Sequence, residues 1–104
     1  MTNVTDTSFD GILSANAVCV IDFSATWCGP CKKIAPIVEE LAKNYEGRAF
    51  LGKVDVDEAP EITERFGIRN VPTILFFKNG EIQQDRVIGA IDKSSLENKI
   101  KALL

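Results

Sequence analysis

The sequence predicts an α/β domain: a central mixed sheet of about five strands, flanked on both faces by about four helices. Three observations lead there. Apolar stretches of strand character alternate with stretches of helical periodicity along most of the chain, the rhythm of βαβ units. The pair Asn79-Gly80 lies between two apolar runs, the signal of a tight antiparallel hairpin, so a sheet begun by parallel crossovers has to be mixed. No repeat, low-complexity tract or Gly/Ser/Pro-rich linker interrupts the chain, and residues 1–104 are read as one domain.

The elements follow in order. Phe9, Ile12 and Leu13 have helical spacing behind Thr7 or Ser8 as N-cap. Residues 17–23 have the apolar character of a central strand covered on both faces. A long helix over about residues 29–46 carries Ile34, Ile37, Val38, Leu41 and Tyr45 as its apolar stripe, sets Glu39 four residues before Lys43, and closes on Gly47 as its C′ residue. Pro36 is expected to kink it. Residues 49–56 read as another strand and residues 57–66 as a short helix closed by Gly67. A strand over residues 73–77 turns at Lys78-Asn79-Gly80-Glu81, and residues 82–88 return beside it. The last helix starts at Asp92 or Ser94, with Ser94 and Glu97 spaced for a capping box, and packs through Leu96, Ile100, Leu103 and Leu104.

Composition removes whole classes of function. The absence of histidine takes away the commonest general base and metal ligand, and with them every Ser-His and Cys-His nucleophile. With 12 Lys+Arg against 15 Asp+Glu, and no basic residue before Lys32, no cationic footprint exists for nucleic acid or an anionic membrane. The longest apolar run is residues 17–21, too short for a signal h-region or a membrane span. With only three cysteines, the expected setting is a reducing compartment, most simply the cytoplasm.

Trp27-Cys28-Gly29-Pro30-Cys31 falls where a buried strand ends and a long helix begins. Residues three apart on one helical turn bring their side chains within about 5–6 Å, so a disulfide can form or break there without refolding. Cys28 is at the helix N-terminus, where unpaired N–H groups and the positive end of the dipole favour a thiolate, which makes it the nucleophile of the pair. The dipole supplies only ~0.3–1 kcal/mol, so direct N–H contacts to the sulfur have to add to it. Pro30 suits a first turn that has no use for its N–H, and Gly29 leaves the sulfur open. Three other readings compete. A zinc site wants four ligands and the chain offers three cysteines; covalent haem wants a histidine where Lys32 stands; an iron–sulfur cluster would need ligands from elsewhere. A purely structural disulfide over so short a loop adds little stability. No metal or cofactor is expected. Asp22, the one acid in the apolar strand, reads either as a proton acceptor with a pKa raised by burial or as a merely paired carboxylate. Cys19, roughly 13 Å from the motif end of its strand, cannot pair with Cys28 or Cys31 and reads as a buried small hydrophobe.

The run Asp22-Phe23-Ser24-Ala25-Thr26-Trp27-Cys28-Gly29-Pro30-Cys31-Lys32 resembles the active-site segment of the thioredoxin family. Pro36, Lys53, Val71-Pro72-Thr73, Phe77-Lys78-Asn79-Gly80 and Gly89 extend the resemblance over essentially the whole chain. It implies a single thioredoxin-fold domain that reduces protein disulfides, with Cys28 attacking the client disulfide and Cys31 resolving the mixed disulfide; a monomer is the default expectation. It implies Asp22 as the proton acceptor for Cys31, Lys53 as the lysine beside that carboxylate, and a cis Val71-Pro72 bond. Trp27, Gly29, Pro30, Val71, Pro72, Gly89 and Ala90 would form the docking surface, with Val71 backbone groups pairing an extended client segment. The implied partners are disulfide-containing client proteins and a thioredoxin reductase, through which NADPH or another donor acts only indirectly. Oxidases and isomerases of related type usually carry histidine at the second intervening position, where this chain has Pro30. Ser24 and Thr26 depart from positions often aromatic and acidic, which removes apolar packing and a carboxylate beside the motif.

Overall fold

The computed structural model describes all residues, 1–104. Strand β1 (Thr2–Asn3) precedes helix α1 (Phe9–Ala15), and β2 (Val18–Ser24) is followed by α2 (Gly29–Asn44). Next come β3 (Phe50–Asp55), α3 (Pro60–Arg65) and β4 (Thr73–Lys78), then β5 (Glu81–Ile82), β6 (Val87–Ile88) and α4 (Lys93–Lys101). The sheet runs β1-β3-β2-β4-β5, with β6 also paired to β4. Pairing is parallel from β1 through β3 to β2, and antiparallel from β2 to β4 and onward. The mixed sheet and the helices on both faces agree with the sequence reading.

All seven residues of β2 are buried, because both its faces are covered. Val18 and Val20 join Ile34, Val38 and Leu41 of α2 and Leu96 and Ile100 of α4 in one apolar cluster. Cys19, Ile21 and Phe23 face the opposite way, into a cluster with Phe9 and Leu13 of α1 and Ile62 of α3. There Phe9, Phe66 and Phe77 stack edge to face, ring centroids 5.4–5.6 Å apart.

The departures from expectation are local. β1 was not legible because two residues carry no period-2 pattern; Val4, buried just after it, donates its N–H to the Lys53 carbonyl at 2.8 Å. Its partner strand meets it at Gly52, where an added Cβ would sit 2.7 Å from the Phe50 ring and 2.9 Å from Val4, so a side chain there would push β1 away. The return strand expected over residues 82–88 is two short pieces: Gln83 N–H still reaches the Phe76 carbonyl at 2.8 Å, but Arg86 N–H turns back to the Gln84 carbonyl at 3.1 Å and the chain leaves the ladder before β6. α2 stays one helix through Pro36 and ends two residues early, with Tyr45 N–H on the Leu41 carbonyl and Gly47 at φ 86 turning the chain. At α4 the expected Ser94–Glu97 box does not form. Asp92 is the N-cap, its Oδ1 accepting the Ser95 N–H at 2.8 Å, while Glu97 accepts the Tyr45 hydroxyl at 2.7 Å. Leu104 is half exposed and does not pack.

Candidate active site

The end of β2 delivers Trp27 and Cys28 to the N-terminus of α2. Cys28 is the N-cap: its Sγ accepts the Cys31 backbone N–H at 3.1 Å, so one orphan donor of the helix already points at the sulfur. Cys28 and Cys31 are disulfide-bonded with their Cα atoms 5.3 Å apart, and both are nearly buried, at 4% and 2% exposure. Pro30 occupies the first turn, and a Cβ at Gly29 would meet nothing within 4 Å. Trp27, by contrast, is 69% exposed and stands beside the disulfide as a free apolar face. Its indole Nε1–H donates to Asp57 Oδ2 at 3.0 Å, and Asp57 N–H donates in turn to Asp55 Oδ1 at 2.9 Å. Sequence reasoning missed Asp57; the only signal was an acid two residues after Asp55, just past a strand end.

The turn before β4 meets the cysteines from the other side. Val71-Pro72 is cis, as expected from the resemblance, and the Val71 carbonyl oxygen lies 3.7 Å from Cys28 Sγ. Val71 is half-buried and Pro72 buried. Gly89 N–H donates to the Pro72 carbonyl at 2.9 Å, and Gly89 adopts φ 92, a conformation that favours glycine, so this residue fixes the far flank of the turn. Ala90 follows, exposed.

Asp22 is 1% exposed, and neither carboxylate oxygen has a hydrogen-bond partner. Burial pushes its pKa up to about 7, against the pull of Lys53, its register partner on β3. A solvent-open cleft of about 290 Å³ lies between β2, β3 and α2, lined by Ser24, Thr26, Cys31, Lys32, Lys53 and Asp55. Cys31 of α2 and Lys53 of β3 both line it, beside the strand that carries Asp22. Cys19 takes no part. It is fully buried in the α1/α3 cluster, with burial raising its thiol pKa to about 11. No three His, Cys, Asp or Glu side chains gather as a metal-holding group.

A cysteine pair at a helix N-terminus holds and releases two electrons without refolding, and the helix N–H groups stabilise the thiolate that reduction leaves on the outer sulfur. On this fold, beside a cis-proline turn, that pair defines a thioredoxin-fold protein with a disulfide at the N-terminus of α2. The comparisons agree. A thioredoxin family model matches residues 1–102. The chain is 46% identical over 99 residues to the chloroplastic M-type thioredoxin of Pisum sativum, covering 94% of this chain and 57% of that protein. It is 40% identical over 99 residues to thioredoxin 1 of Nostoc sp., covering 94% and 92%. A solved structure of Plasmodium falciparum thioredoxin superposes with a TM-score of 0.89 at 42% identity over 100% of both chains. The chain belongs to the thioredoxin family. It spans 57% and 56% of the pea and spinach proteins it matches.

One expectation is overturned. The cytoplasm was read from composition and cysteine count, yet the relatives from pea, spinach and rice are chloroplastic proteins. A low cysteine count does not distinguish one compartment from another wherever thiols are kept reduced.

Proposed function

We propose that this chain is a thiol–disulfide oxidoreductase that reduces the disulfides of client proteins. The observation that carries the reading is the Cys28–Cys31 disulfide capping α2 beside an exposed Trp27 and the Val71 carbonyl. In the reduced protein the Cys28 thiolate attacks one sulfur of the client disulfide, forming a Cys28–client bond and expelling the other client sulfur as a thiolate. Cys31 gives up its proton, with Asp22 as acceptor beside Lys53, and attacks Cys28 Sγ. The internal disulfide closes and the second client thiolate leaves, so two electrons have passed to the client. Trp27, Gly29, Pro30, Val71, Pro72, Gly89 and Ala90 form the face on which the client segment docks. The protein acts as a monomer, with no cofactor of its own, and a thioredoxin reductase returns the two electrons. The chloroplastic relatives favour a plastid-type partner, so a ferredoxin-dependent reductase is the first to test, beside an NADPH-dependent one.

The test is the midpoint potential of the Cys28–Cys31 couple in graded thiol–disulfide buffers, with Trp27 fluorescence as reporter. A reversible two-electron couple near about −270 mV is expected of a reductant. A value of about −180 to −120 mV would make the protein an isomerase or oxidase, and no reversible couple would overturn the reading.

A further inference from the structure

On the Trp27 side of the disulfide a groove of about 310 Å³ is lined by Trp27, Val56, Ile68 and Val71 together with Thr63, Asn70 and Arg69. It begins at the reacting centre, since Val71 is the residue whose carbonyl lies 3.7 Å from Cys28 Sγ. Only Asn70 separates Arg69 from Val71 along the chain, so their Cα atoms are at most about 7 Å apart. Of the residues lining the groove, Arg69 alone is charged.

Arg69 is also the cation this surface leaves uncommitted. The molecule forms two ion pairs, Arg65–Asp10 at 3.3 Å and Lys93–Glu40 at 2.9 Å, and Arg69 is in neither. Arg86, which reaches the same α3–β4 loop, is spent on the Phe66 carbonyl at 3.1 Å. The acid that touches Trp27, Asp57, lies outside the lining, with Oδ2 taken by the indole and its backbone N–H held by Asp55. Arg69 is exposed in a lining that is otherwise neutral, and carboxylate is the group that matches a guanidinium fork.

We propose that this groove is a selectivity subsite: it seats an acidic side chain of the client polypeptide, within about two residues of the cysteine under attack, against the Arg69 guanidinium. The inference rests on the oxidoreductase reading and names the client class that reading favours. The exposed pair adds about two- to fivefold in kcat/KM at low salt, the range of a solvent-facing ion pair. It fades toward unity at about 1 M salt, where the Debye length is about 3 Å.

The test uses two disulfide-linked peptides, identical except for Glu or Gln two residues from the reacting cysteine. The readout is the ratio of their kcat/KM values. The wild type is expected to favour the Glu peptide about two- to fivefold, Arg69→Gln to bring the ratio to one, and Arg69→Glu to reverse it. Lys101→Gln, the same charge change at the end of α4, is expected to keep the wild-type ratio. Equal rates for the two peptides with wild type, or a preference that survives Arg69→Gln or vanishes in Lys101→Gln, would overturn the subsite while leaving the oxidoreductase standing. If the wild type reduces neither peptide, the oxidoreductase reading itself fails and the subsite fails with it.

Discussion

Asp22 couples stability to chemistry in a direction opposite to most carboxylates. Its folded pKa of about 7 stands above the ordinary 3.8, so the folded chain holds a proton that the unfolded chain has released. Its contribution is therefore fully favourable below pH 3.8 and is lost as pH rises through 7, amounting to up to about 4 kcal/mol at 1.36 kcal/mol per unit. Urea unfolding at pH 5 and pH 8 checks this: Asp22→Asn is expected to gain on the wild type as pH rises, and a difference independent of pH would refute it. The same substitution should slow the resolving step and flatten its rise through pH 7. Cys31→Ser should leave client covalently attached to Cys28, visible as a mixed disulfide in the intact mass, and Cys28→Ser should leave none. At this scale much of the site was legible. An acid in an apolar strand and a cysteine pair at a strand–helix junction are anomalies that a single sequence displays. Asp57 was not, because its role comes from where the Trp27 indole points, and no local spacing encodes a contact across 30 residues.

At the scale of elements, the caps are decided by which side chain reaches which N–H. Asp92 accepts from the Ser95 backbone and from the hydroxyls of Ser94 and Ser95, and these bonds lower its pKa. Asp92→Ala should lower the melting temperature by a few degrees, whereas Ser94→Ala should cost less, since Ser94 caps nothing itself. The cap's contribution is present above the ordinary 3.8 and is lost as pH falls through the lowered value. Sequence spacing offered Asp92 and Ser94 equally, and the choice was settled when Tyr45 drew Glu97 to α2. The hairpin turn was legible because Asn79 at φ 51 and Gly80 at φ 82 are the residues that tolerate such angles. Its return strand was not: alternation in residues 82–88 looks the same whether or not Gln84 and Arg86 bond each other.

For the whole molecule, the division of the core by β2 sets where damage is felt. Phe77 is 1% exposed and closes the Phe9–Phe66–Phe77 group, so Phe77→Ala should cost ~3–5 kcal/mol in urea unfolding with little change in slope. The fold class was legible because its signals are redundant: apolar runs, helical stripes and one turn all demand the same layered sheet. The strand order was not, since β1 joins the edge through two residues. That edge strand has a consequence for how the protein can be attached to something else. β1 and β3 run parallel to β2, whose C-terminal end leads to the disulfide, so the chain enters from the other pole, where Met1 lies with Lys43 and Gly47 around one hollow. α4 runs alongside α2, with Lys93 on Glu40 and Glu97 on Tyr45, and it too leads away from Cys28. Residues 1 and 104 thus both lie away from Cys28, and a bead, membrane tether or fused carrier joined at either position leaves the disulfide facing outward.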